Sequence, residues 1–440
     1  MGRIIPFFVA IFLLVACSAN RYNRSSETFY MPAEWEPHEA VWLGWERDSV
    51  LGYYPAVVNM IKSLRGNVHV KIAFHNDTLK RKATAYLTAQ GIDSNSYTTY
   101  IMPGEYYWIR DHGASFLLNS EGDLGVADFA WDSYGLPGFL KEKFDGNMDS
   151  VAAYLERGKK MRQLRGAVDS LMAINEKAVI LKTDVVHEGG AIEVNGKGTL
   201  ILCEATVLQR NPDKTKEYIE AEFKRVLGVT KIIWMKKGLA DDPHRYIRRI
   251  SGNYVGGGTG GHTDEFVRFA NSKTILLAWV NDEEKSLNPI NQMNHERMTE
   301  NYNILKNARD QDGNSFTIIK VPLPDLITKK ILARERLDSN EVTFDVEVRN
   351  FIPSEKPKIG DTLLRVPASS YMNYLVTNGV VLLPTYTAFG SSKEKEEQVR
   401  KLFEKHFPGR TIVFIDAIMQ NWNGGGIHCS TQQQPMKKTN

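Results

Sequence analysis

A hairpin pattern that recurs along the chain constrains its fold more than any other feature. Four segments each contain two short apolar runs joined by a turn that begins with Asn. Such a turn between apolar runs, above all Asn-Gly, is a strong hairpin signal. The turn residues Asn119, Asn195 and Asn271 are spaced by 76 and 76 residues, and Asn378 follows after 107. The interval indicates repeated structural units rather than unrelated hairpins.

An acidic residue precedes each of the first three hairpins at the same interval. Asp111, Glu188 and Asp264 are spaced by 77 and 76 residues. One interval before Asn119 lies another apolar run, residues 40–45, which adds a fifth candidate unit. Because the acids keep the same place relative to the turn, we expect them to occupy equivalent positions in their units.

Helical and strand-like segments fill the intervals between the hairpins. Their spacing and flanking residues predict helices at 215–227, 289–308 and 393–406, a helical excursion at 142–177, and strands at 68–74, 231–235 and 411–415. A single β/α unit of this size cannot bury its apolar face alone. We therefore predict an α/β fold in which five units form a five-fold pseudo-symmetric β/α propeller, with equivalent loops converging on the axis.

The chain ends with a glycine-rich loop that carries Cys429. The loop, NGGGIHCSTQQQ at residues 423–434, follows an apolar, β-branched run at 411–417. Consecutive glycines allow backbone conformations that other residues avoid, and they allow a neighbour to approach closely. A lone cysteine is often an inert core thiol, which is how we interpret Cys203 in the apolar run 199–203. For Cys429 the converging acidic loops favour a nucleophile instead.

These residue types together predict a cysteine-dependent hydrolase that acts on a guanidine group. Carboxylates in a water-poor pocket need a cation, and a planar guanidinium pairs with them through two parallel hydrogen bonds. The resonance-stabilised carbon of a guanidinium requires a strong nucleophile, which a thiolate provides. His262, two positions before Asp264, is placed to pass protons to leaving ammonia and from attacking water.

Several motifs resemble those of the agmatine deiminase family, which includes the bacterial-type peptidylarginine deiminases. They are MPAEWEPH at 31–38, WIRD at 108–111, EGG at 188–190, GHTD at 261–264, ASSYMN at 368–373, GGGIHC at 424–429 and TQQ at 431–433. The resemblance runs from about residue 31 to residue 435. It implies the pentein fold of the guanidine-modifying superfamily, which is a five-fold β/α propeller and agrees with the fold predicted from the repeat.

The resemblance also implies roles for individual residues. Cys429 is then the nucleophile that forms a covalent thiouronium intermediate, and His262 is the general acid and base. Asp111 and Asp264 hold the guanidinium, and Glu188 assists in catalysis. Further candidates for substrate binding are Asn373, Trp108 and Trp131, although the two tryptophans also suit a core. The resemblance implies neither a metal ion nor a cofactor.

Agmatine is the substrate that the sequence favours, with N-carbamoylputrescine and ammonia as products. Residues 129–131 resemble the agmatine-type pattern of the family, in which an aromatic ring, here Trp131, can cover an aliphatic stem. Peptidylarginine-type members use arginines in this region to hold a substrate carboxylate, and the segment 128–138 contains no Arg or Lys. The alternative is a peptide arginine, converted to citrulline. It is supported by an insertion relative to the family at 243–261, whose Arg245, Arg248 and Arg249 could bind a substrate carboxylate.

Two other classes of protein remain open from the residues alone. A metal-dependent hydrolase could use His112, His187 and His262 together with the three acids, but it would not need Cys429. A non-catalytic surface binding protein would not need the reactive residues at all. Residues 256–261 also match G-x-G-x-x-G, but a strand-like segment follows them, so a dinucleotide site is not favoured.

The sequence also departs from the family pattern just after Asp111, where His112 and Ala114 stand at positions that usually hold other residues.

The N-terminal residues resemble a bacterial lipoprotein signal. Arg3 precedes an apolar run at 4–16 that ends at Cys17 and is shorter than the ~20 residues of a membrane span. We expect a signal at 1–17 with lipid on Cys17, a tether at 18–28 and one catalytic domain at 29–436, held at the bacterial cell envelope by the lipid alone. A plain cleaved signal or an N-terminal anchor is the alternative. The net charge of +3 suggests no nucleic-acid partner.

Overall fold

The computed structural model describes residues 28–47, 52–244, 246–338, 341 and 343–437. The predicted signal with Cys17, the tether up to residue 27 and Arg245 of the insertion lie outside the described residues. Within the described ranges, no helix is long and apolar enough to cross a membrane.

The first three units lie between residues 38 and 235. The first contains β1 (His38–Gly44), α1 (Tyr54–Leu64), β2 (His69–Phe74), α2 (Asp77–Ala89) and β3 (Tyr97–Ile101). The second contains α3 (Ile109–His112), β4 (Ser115–Leu118), β5 (Leu124–Ala130), α4 (Leu136–Lys143), α5 (Met148–Glu156), α6 (Lys159–Arg165), α7 (Val168–Glu176) and β6 (Val179–Val186). The third contains β7 (Glu193–Val194), β8 (Thr199–Cys203), α8 (Glu204–Arg210), α9 (Lys216–Leu227) and β9 (Lys231–Met235).

Two further units and an additional set of strands follow. A hairpin of β10 (Arg248–Ser251) and β11 (Tyr254–Gly256) precedes the fourth unit, which contains β12 (Val267–Asn271), β13 (Thr274–Trp279), α10 (Pro289–Asn307) and β14 (Thr317–Pro322). Next come β15 (Lys329–Arg334), β16 (Val346–Glu347) and β17 (Thr362–Arg365). The fifth unit contains β18 (Leu375–Thr377), β19 (Val380–Pro384), α11 (Lys393–His406) and β20 (Thr411–Ile415), and the chain continues into α12 (Ile418–Asn421) and β21 (Thr431–Pro435).

Units two to five share one strand order, which confirms the repeat predicted from the sequence. In each, the first strand of the hairpin pairs antiparallel with the second, and the second pairs parallel with the third. The four sheets are β4-β5-β6, β7-β8-β9, β12-β13-β14 and β18-β19-β20. First strands of different units also touch, since β7 contacts β12 and β4 contacts β21. The fold is the predicted α/β propeller of five units.

The first unit is completed by the C-terminal strand. β21 pairs antiparallel with β1, with Trp42 opposite Gln432 and Leu43 opposite Thr431, and β1 pairs parallel with β2. A strand that closes a ring of units in this way covers an edge that would otherwise be free. The sequence analysis did not identify this partner for the first unit. The pairing holds the residues that follow Cys429 against the opposite end of the chain.

The hairpin turns show why Asn-Gly predicted them. Gly196 and Gly379 have φ angles of 66° and 69°, in the left-handed region that glycine adopts without strain. The Asn195 Oδ1 atom accepts hydrogen bonds from the backbone N–H groups of Lys197 and Thr199, each at 2.9 Å. The Asn side chain therefore satisfies donors that the turn leaves free, and the glycine allows the chain to reverse.

The insertion at 243–261 contributes to a sheet outside the five units. β10 pairs antiparallel with β11, β11 pairs parallel with β17, and β15 and β16 complete the sheet. It has a small core of its own: Val255, Ile331, Ala333, Val346, Val348, Phe351 and Leu363. The segment before β10 packs on α4, where the Phe139 ring stacks on the rings of His244 and Tyr246 at centroid distances of 5.7 and 4.2 Å.

Two elements differ from their predicted bounds for local reasons. The excursion predicted at 142–177 begins earlier, at Leu136, and is divided into four helices, with Asn147 capping α5 and Gly158 preceding α6. The first strand of the hairpin in the fifth unit, for which the sequence predicts residues 371–377, covers only Leu375–Thr377. The residues before it form a loop that brings Asn373 to the side chain of Cys429.

Candidate active site

The glycine-rich loop between α12 and β21 places Cys429 in a tightly packed position. A Cβ atom on Gly425 would lie 2.6 Å from Cζ3 of Trp108, and one on Gly426 would lie 2.6 Å from Oδ1 of Asn373. Both distances are shorter than any real contact, so glycine is required at these positions. Cys429 itself is 1% exposed. The close approach that the sequence predicted for this loop is therefore an approach of protein side chains to its backbone.

Polar side chains surround the sulfur of Cys429. The Asn373 Nδ2 atom donates a hydrogen bond to Sγ at 3.1 Å. The carboxyl groups of Asp264 and Glu265 lie 3.5 and 4.0 Å from Sγ. Burial raises the pKa of the Cys429 thiol well above its usual range, and the nearby charges of Asp264, Glu265 and Asp111 raise it further. The thiol is therefore neutral unless a cation enters the site.

One carboxylate oxygen of Asp264 contacts a histidine, and the other has no hydrogen-bond partner among the described residues. The His428 Nδ1 atom lies 2.8 Å from Oδ2 of Asp264. Burial would raise the pKa of Asp264, but the hydrogen bond and charge of His428 outweigh burial and hold the pKa below its usual value. Among the described residues, the Oδ1 atom of Asp264 has no hydrogen-bond partner. It is a charged, buried acceptor that is available to a ligand.

His262 lies between two carboxyl groups. Its Nε2 atom is 3.3 Å from Oε2 of Glu188, and its Nδ1 atom is 3.5 Å from Oδ1 of Asp111. Burial would lower the pKa of His262, but Asp111 and Glu188 outweigh it and raise the pKa to about 9. The imidazole is therefore protonated at neutral pH and can donate a proton.

The two carboxyl groups beside His262 have different partners. Glu188 accepts a hydrogen bond from Nε of Arg210 at 3.0 Å. Burial would raise the pKa of Glu188, but Arg210 and His262 hold it well below its usual value. Asp111 accepts hydrogen bonds from the Tyr134 hydroxyl at 2.8 Å and from the backbone N–H of Gly190 at 3.2 Å. These contacts fix the orientation of both acids.

Gly190 leaves a gap that the acids and the histidine share. A Cβ atom at this position would lie 2.7 Å from Oδ1 of Asp111, 2.7 Å from Nδ1 of His262 and 2.9 Å from Oδ2 of Asp264. Any larger residue would fill the space between these side chains. The absence of a side chain at Gly190 therefore keeps open a small, carboxylate-lined space that suits a planar cation.

The structure brings together all five predicted catalytic residues and places the three predicted binding residues around them. Asn373 contacts Cys429, and Trp108 lies against Gly425 of the loop that carries Cys429. Trp131 is connected to the catalytic candidates through Tyr134, which donates a hydrogen bond to Asp111. Its ring packs on Tyr134 at a centroid distance of 5.0 Å, and it lines a cleft of about 460 Å³.

The residues proposed for a metal site do not gather in the way that a metal ion requires. In the part of the chain that the structure describes, one group of three potential ligands has all its ligand atoms within 4.8 Å, and it consists of Asp264, Glu265 and Cys429. His112 instead stacks on Tyr106 and pairs with Glu105 at 3.0 Å. The two-metal arrangement of histidines and acids is therefore not formed among these residues.

Four residues that contact the site were not predicted as functional candidates from the sequence. They are Tyr134, Arg210, Glu265 and His428. Burial and the neighbouring acids, Asp264 first, raise the pKa of Glu265 well above its usual value, so Glu265 is protonated. The positions of Glu265 and His428, each next to a predicted catalytic residue, were the signal that could have identified them. Tyr134 and Arg210 carried no such signal.

Two arginines of the insertion that the structure describes, Arg248 and Arg249, are engaged with other protein groups. Arg248 pairs with Glu355 at 2.8 Å and with Glu142 at 3.2 Å. Arg249 donates to the backbone carbonyl groups of Glu355 and Gly252. These arginines fasten the additional sheet to itself and to α4, so their side chains serve packing rather than a substrate carboxylate.

A second buried cluster, here called the ionic hub, adjoins the site through His428. It consists of Glu34, Arg110, Glu193, Arg268 and Gln433. Glu34 accepts hydrogen bonds from Arg110, Arg268 and Gln433. Arg268 also donates to Glu193 at 2.7 Å and to the carbonyl groups of residues 372 and 374. The hub joins the N-terminal residues to units two, three, four and five.

The comparisons with known proteins agree with this geometry. The sequence matches the Porphyromonas-type peptidyl-arginine deiminase family over residues 30–435. The chain belongs to this family. An agmatine deiminase of Pseudomonas syringae pv. tomato is 30% identical over 422 residues, which cover 93% of this chain and 96% of that protein. An agmatine deiminase of Pseudomonas aeruginosa is 27% identical over 416 residues, with coverage of 93% and 96%.

Solved structures show the same fold. The agmatine deiminase of Enterococcus faecalis matches with a TM-score of 0.68 and 24% identity, covering 93% of this chain and 96% of that one. A putative arginine deiminase of Porphyromonas gingivalis matches with a TM-score of 0.65 and 21% identity, with coverage of 93% and 98%. The predicted resemblance and reaction class are confirmed: the protein is a hydrolase that cleaves C–N bonds of guanidine groups.

Proposed function

We propose that the protein is an agmatine deiminase in which Cys429 attacks the guanidinium carbon. The observation that carries this proposal is the position of the Cys429 thiol, 3.5 Å from a carboxylate of Asp264 whose other oxygen is unpaired among the described residues. A guanidinium between Asp264 and Asp111 would pair with both carboxyl groups and offset the excess of negative charge. The same cation would lower the pKa of the thiol, which burial and the acids otherwise raise.

His262 supplies the proton that the first step needs. Because its pKa is raised to about 9, it is protonated when the substrate arrives and cannot act first as a base for the thiol. With the guanidinium bound, the Cys429 thiol loses its proton to water. The resulting thiolate adds to the guanidinium carbon, and one nitrogen leaves as ammonia with the proton of His262. A covalent thiouronium group remains on the sulfur.

Hydrolysis of the thiouronium group completes the reaction. His262, now neutral, accepts a proton from water, and the resulting hydroxide adds to the thiouronium carbon. The C–S bond then breaks, which regenerates the thiolate, and the new urea group gives up its extra proton to water as N-carbamoylputrescine is released. The hydrogen bond from Asn373 to Sγ supports the thiolate whenever it is free.

The cleft at Trp131 supports agmatine over a substrate with a carboxylate. Asp128 and Asp132 line it, and burial raises the pKa of Asp132 to about 6, so Asp132 is ionised at neutral pH. Agmatine carries a second cation at the far end of an aliphatic stem, which suits an acid beside an aromatic ring. Of the basic residues that line the cleft, Arg162 donates to a backbone carbonyl, and Lys159 forms an exposed pair with Glu156.

Ammonia release from different guanidines tests the substrate. Agmatine, free arginine and peptides with internal or C-terminal arginine are compared by kcat/KM with the mature protein. We expect the highest value with agmatine, and we expect Arg248→Ala to leave it within about twofold, since Arg248 is paired with Glu355. A preference for a peptide with C-terminal arginine, lost in Arg248→Ala, would instead identify a peptidylarginine deiminase.

We further propose that the protein is anchored to the cell envelope through Cys17. The support is the sequence alone, since the apolar run at 4–16 ends in a cysteine followed by a small residue. Membrane and soluble fractions of cells that express the wild type and Cys17→Ser test this. We expect the wild type in the membrane fraction and the variant released. A native protein that is soluble in the cytosol with Met1 intact would contradict the proposal.

A further inference from the structure

A fully buried histidine links the active site to the ionic hub. The His428 ring lies with Nδ1 at 2.8 Å from Oδ2 of Asp264, and with Nε2 at 2.9 and 3.1 Å from the two oxygens of Glu34. Ionised carboxylates only accept hydrogen bonds, so both ring nitrogens must donate. His428 therefore joins two carboxylates, Asp264 and Glu34, which are 230 residues apart in the chain.

The carboxylates on both sides of His428 are held in the ionised form. Burial would raise the pKa of Glu34, but Arg268, His428 and Arg110 outweigh it and hold the pKa well below its usual value. Asp264 is held low by His428 itself. These contacts form a continuous series. The arginines of the ionic hub hold Glu34, Glu34 holds His428, and His428 holds Asp264.

The ring of His428 has no freedom to turn away from Asp264. Glu34, its anchor, also accepts hydrogen bonds from Arg110 at 3.1 Å and from Gln433 at 3.0 Å. The backbone N–H of His428 donates to Oδ1 of Asn373 at 2.9 Å. The side chain and the main chain of His428 are therefore both fixed, and its ring holds Oδ2 of Asp264 in place.

The contact with His428 leaves one oxygen of Asp264 without a protein partner. Oδ2 lies beside His428, Cys429 and the gap at Gly190, whereas Oδ1 is buried and has no hydrogen-bond partner among the described residues. We propose that His428, held by Glu34, is a positioning residue that fixes the orientation of the Asp264 carboxylate toward the substrate guanidinium. This inference rests on the proposed function, in which Asp264 binds that group.

Two substitutions of His428 separate positioning of Asp264 from support of the hub. In His428→Asn the amide nitrogen can occupy the place of Nδ1, so a donor to Asp264 is retained and the contact with Glu34 is lost. In His428→Gln the amide nitrogen can reach the place of Nε2, so the contact with Glu34 is retained and the donor to Asp264 is lost. Both variants are uncharged and differ by one methylene group.

Binding without turnover provides the measurement. Each substitution is combined with Cys429→Ala, and the Kd for agmatine is measured by titration calorimetry. The parent Cys429→Ala protein is the reference. We expect His428→Gln to weaken binding by about ten- to a hundredfold, the effect of losing a hydrogen bond to a charged group. We expect His428→Asn to lie closer to the parent, and the single variants to show the same order in kcat/KM.

The outcomes distinguish this inference from the proposed function. If the wild type releases ammonia from no guanidine, the proposed function is wrong and the inference falls with it. If the wild type is active on agmatine, but His428→Asn binds as weakly as His428→Gln or more weakly, the inference alone is wrong. Unchanged binding in both variants would also overturn it. Loss of cooperative urea unfolding in both would show that His428 serves the fold, and would overturn the inference too.

Discussion

The ionic hub and the active site are both buried clusters of charges, and they differ in how completely the charges are paired. In the hub, Glu34 and Arg268 use their polar atoms on protein partners. In the active site, Nδ1 of His262, Oδ1 of Asp264 and Oε2 of Glu265 have no hydrogen-bond partner within the described part of the chain. The two clusters therefore differ in hydrogen bonding: the polar atoms of Glu34 and Arg268 in the hub have protein partners, whereas several polar atoms in the active site have none among the described residues.

This difference indicates what each cluster contributes. A buried ion pair with complete hydrogen bonding holds the surrounding elements in one arrangement, and removing one partner is costly. A buried cluster with excess carboxylates is unfavourable until a cation completes it, so part of its cost is recovered when the substrate binds. The hub is thus expected to govern stability, and the active site to govern binding and chemistry. Substitutions in the two clusters test that division.

The largest expected effect on activity comes from Cys429→Ala. Without the sulfur no covalent intermediate forms, so turnover of agmatine should be undetectable, while urea unfolding should remain close to that of the wild type. Cys203→Ala is the matched control, because Cys203 is also a fully buried thiol but lies in the core of the third and fourth units. Substantial activity in Cys429→Ala, or loss of wild-type activity on chelation, would favour a metal-dependent reaction.

The next effect in size is expected for Asp264→Asn. The substitution removes the charge from a carboxylate that would pair with the substrate guanidinium and that His428 now contacts at 2.8 Å. Breaking a buried ion pair costs about 3–5 kcal/mol, so kcat/KM for agmatine should fall by about 10²- to 4 × 10³-fold. A value of kcat/KM near that of the wild type would remove Asp264 from the binding site.

Glu34→Gln should affect stability more than any substitution in the active site. It leaves Arg110 and Arg268 without the carboxylate that they share, which is the costly way to break a buried ion pair. We expect the free energy of unfolding to fall by about 3–5 kcal/mol in urea titrations, compared with about 1–2 kcal/mol for Asp264→Asn, which loses one charge-assisted contact. An equal or larger loss in Asp264→Asn would break the division between the two clusters.

Local patterns explain why so much of the fold was predictable from the sequence. The Asn-Gly turns reverse the chain through glycines at φ of 66° and 69°, and apolar runs such as 199–203 and 411–415 became strands with the predicted bounds. The acids that precede the hairpins, Asp111, Glu188 and Asp264, meet because equivalent loops of the five units converge. A repeat carries this information within each unit.

Long-range pairing explains what could not be predicted. Glu34 and His428 are 394 residues apart, and neither belongs to the repeat. β21 closes the first unit from the other end of the chain, and the strand β11 pairs with β17 across the whole fourth unit. β11 contains only three residues, so no periodicity marks it. Partners of this kind follow from the assembled ring rather than from a local sequence pattern.

The smallest and most gradual effect is expected from pH, through His262. Its folded-state pKa of about 9 lies above its ordinary value of about 6.5, because Asp111 and Glu188 stabilise the imidazolium more than burial destabilises it. The resulting stabilisation is fully present below pH ~6.5 and is lost as pH rises through about 9. Above that pH the histidine also lacks the proton for the leaving ammonia, so kcat/KM should decline about tenfold per pH unit.

Parallel measurements of kcat/KM and urea unfolding between pH 6 and 10 check both consequences. The amine of agmatine resembles that of lysine, with a pKa of about 10.4, so it remains mostly charged in this range. His262→Gln is the control for stability, since it should lack the part of the loss between pH ~6.5 and about 9 that comes from His262. Burial also raises the pKa of Glu193 in the ionic hub to about 8, so the variant should still lose some stability, and the difference between the two proteins gives the contribution of His262. An alkaline limb of kcat/KM near pH ~6.5 would mean that Asp111 and Glu188 do not hold the proton on His262.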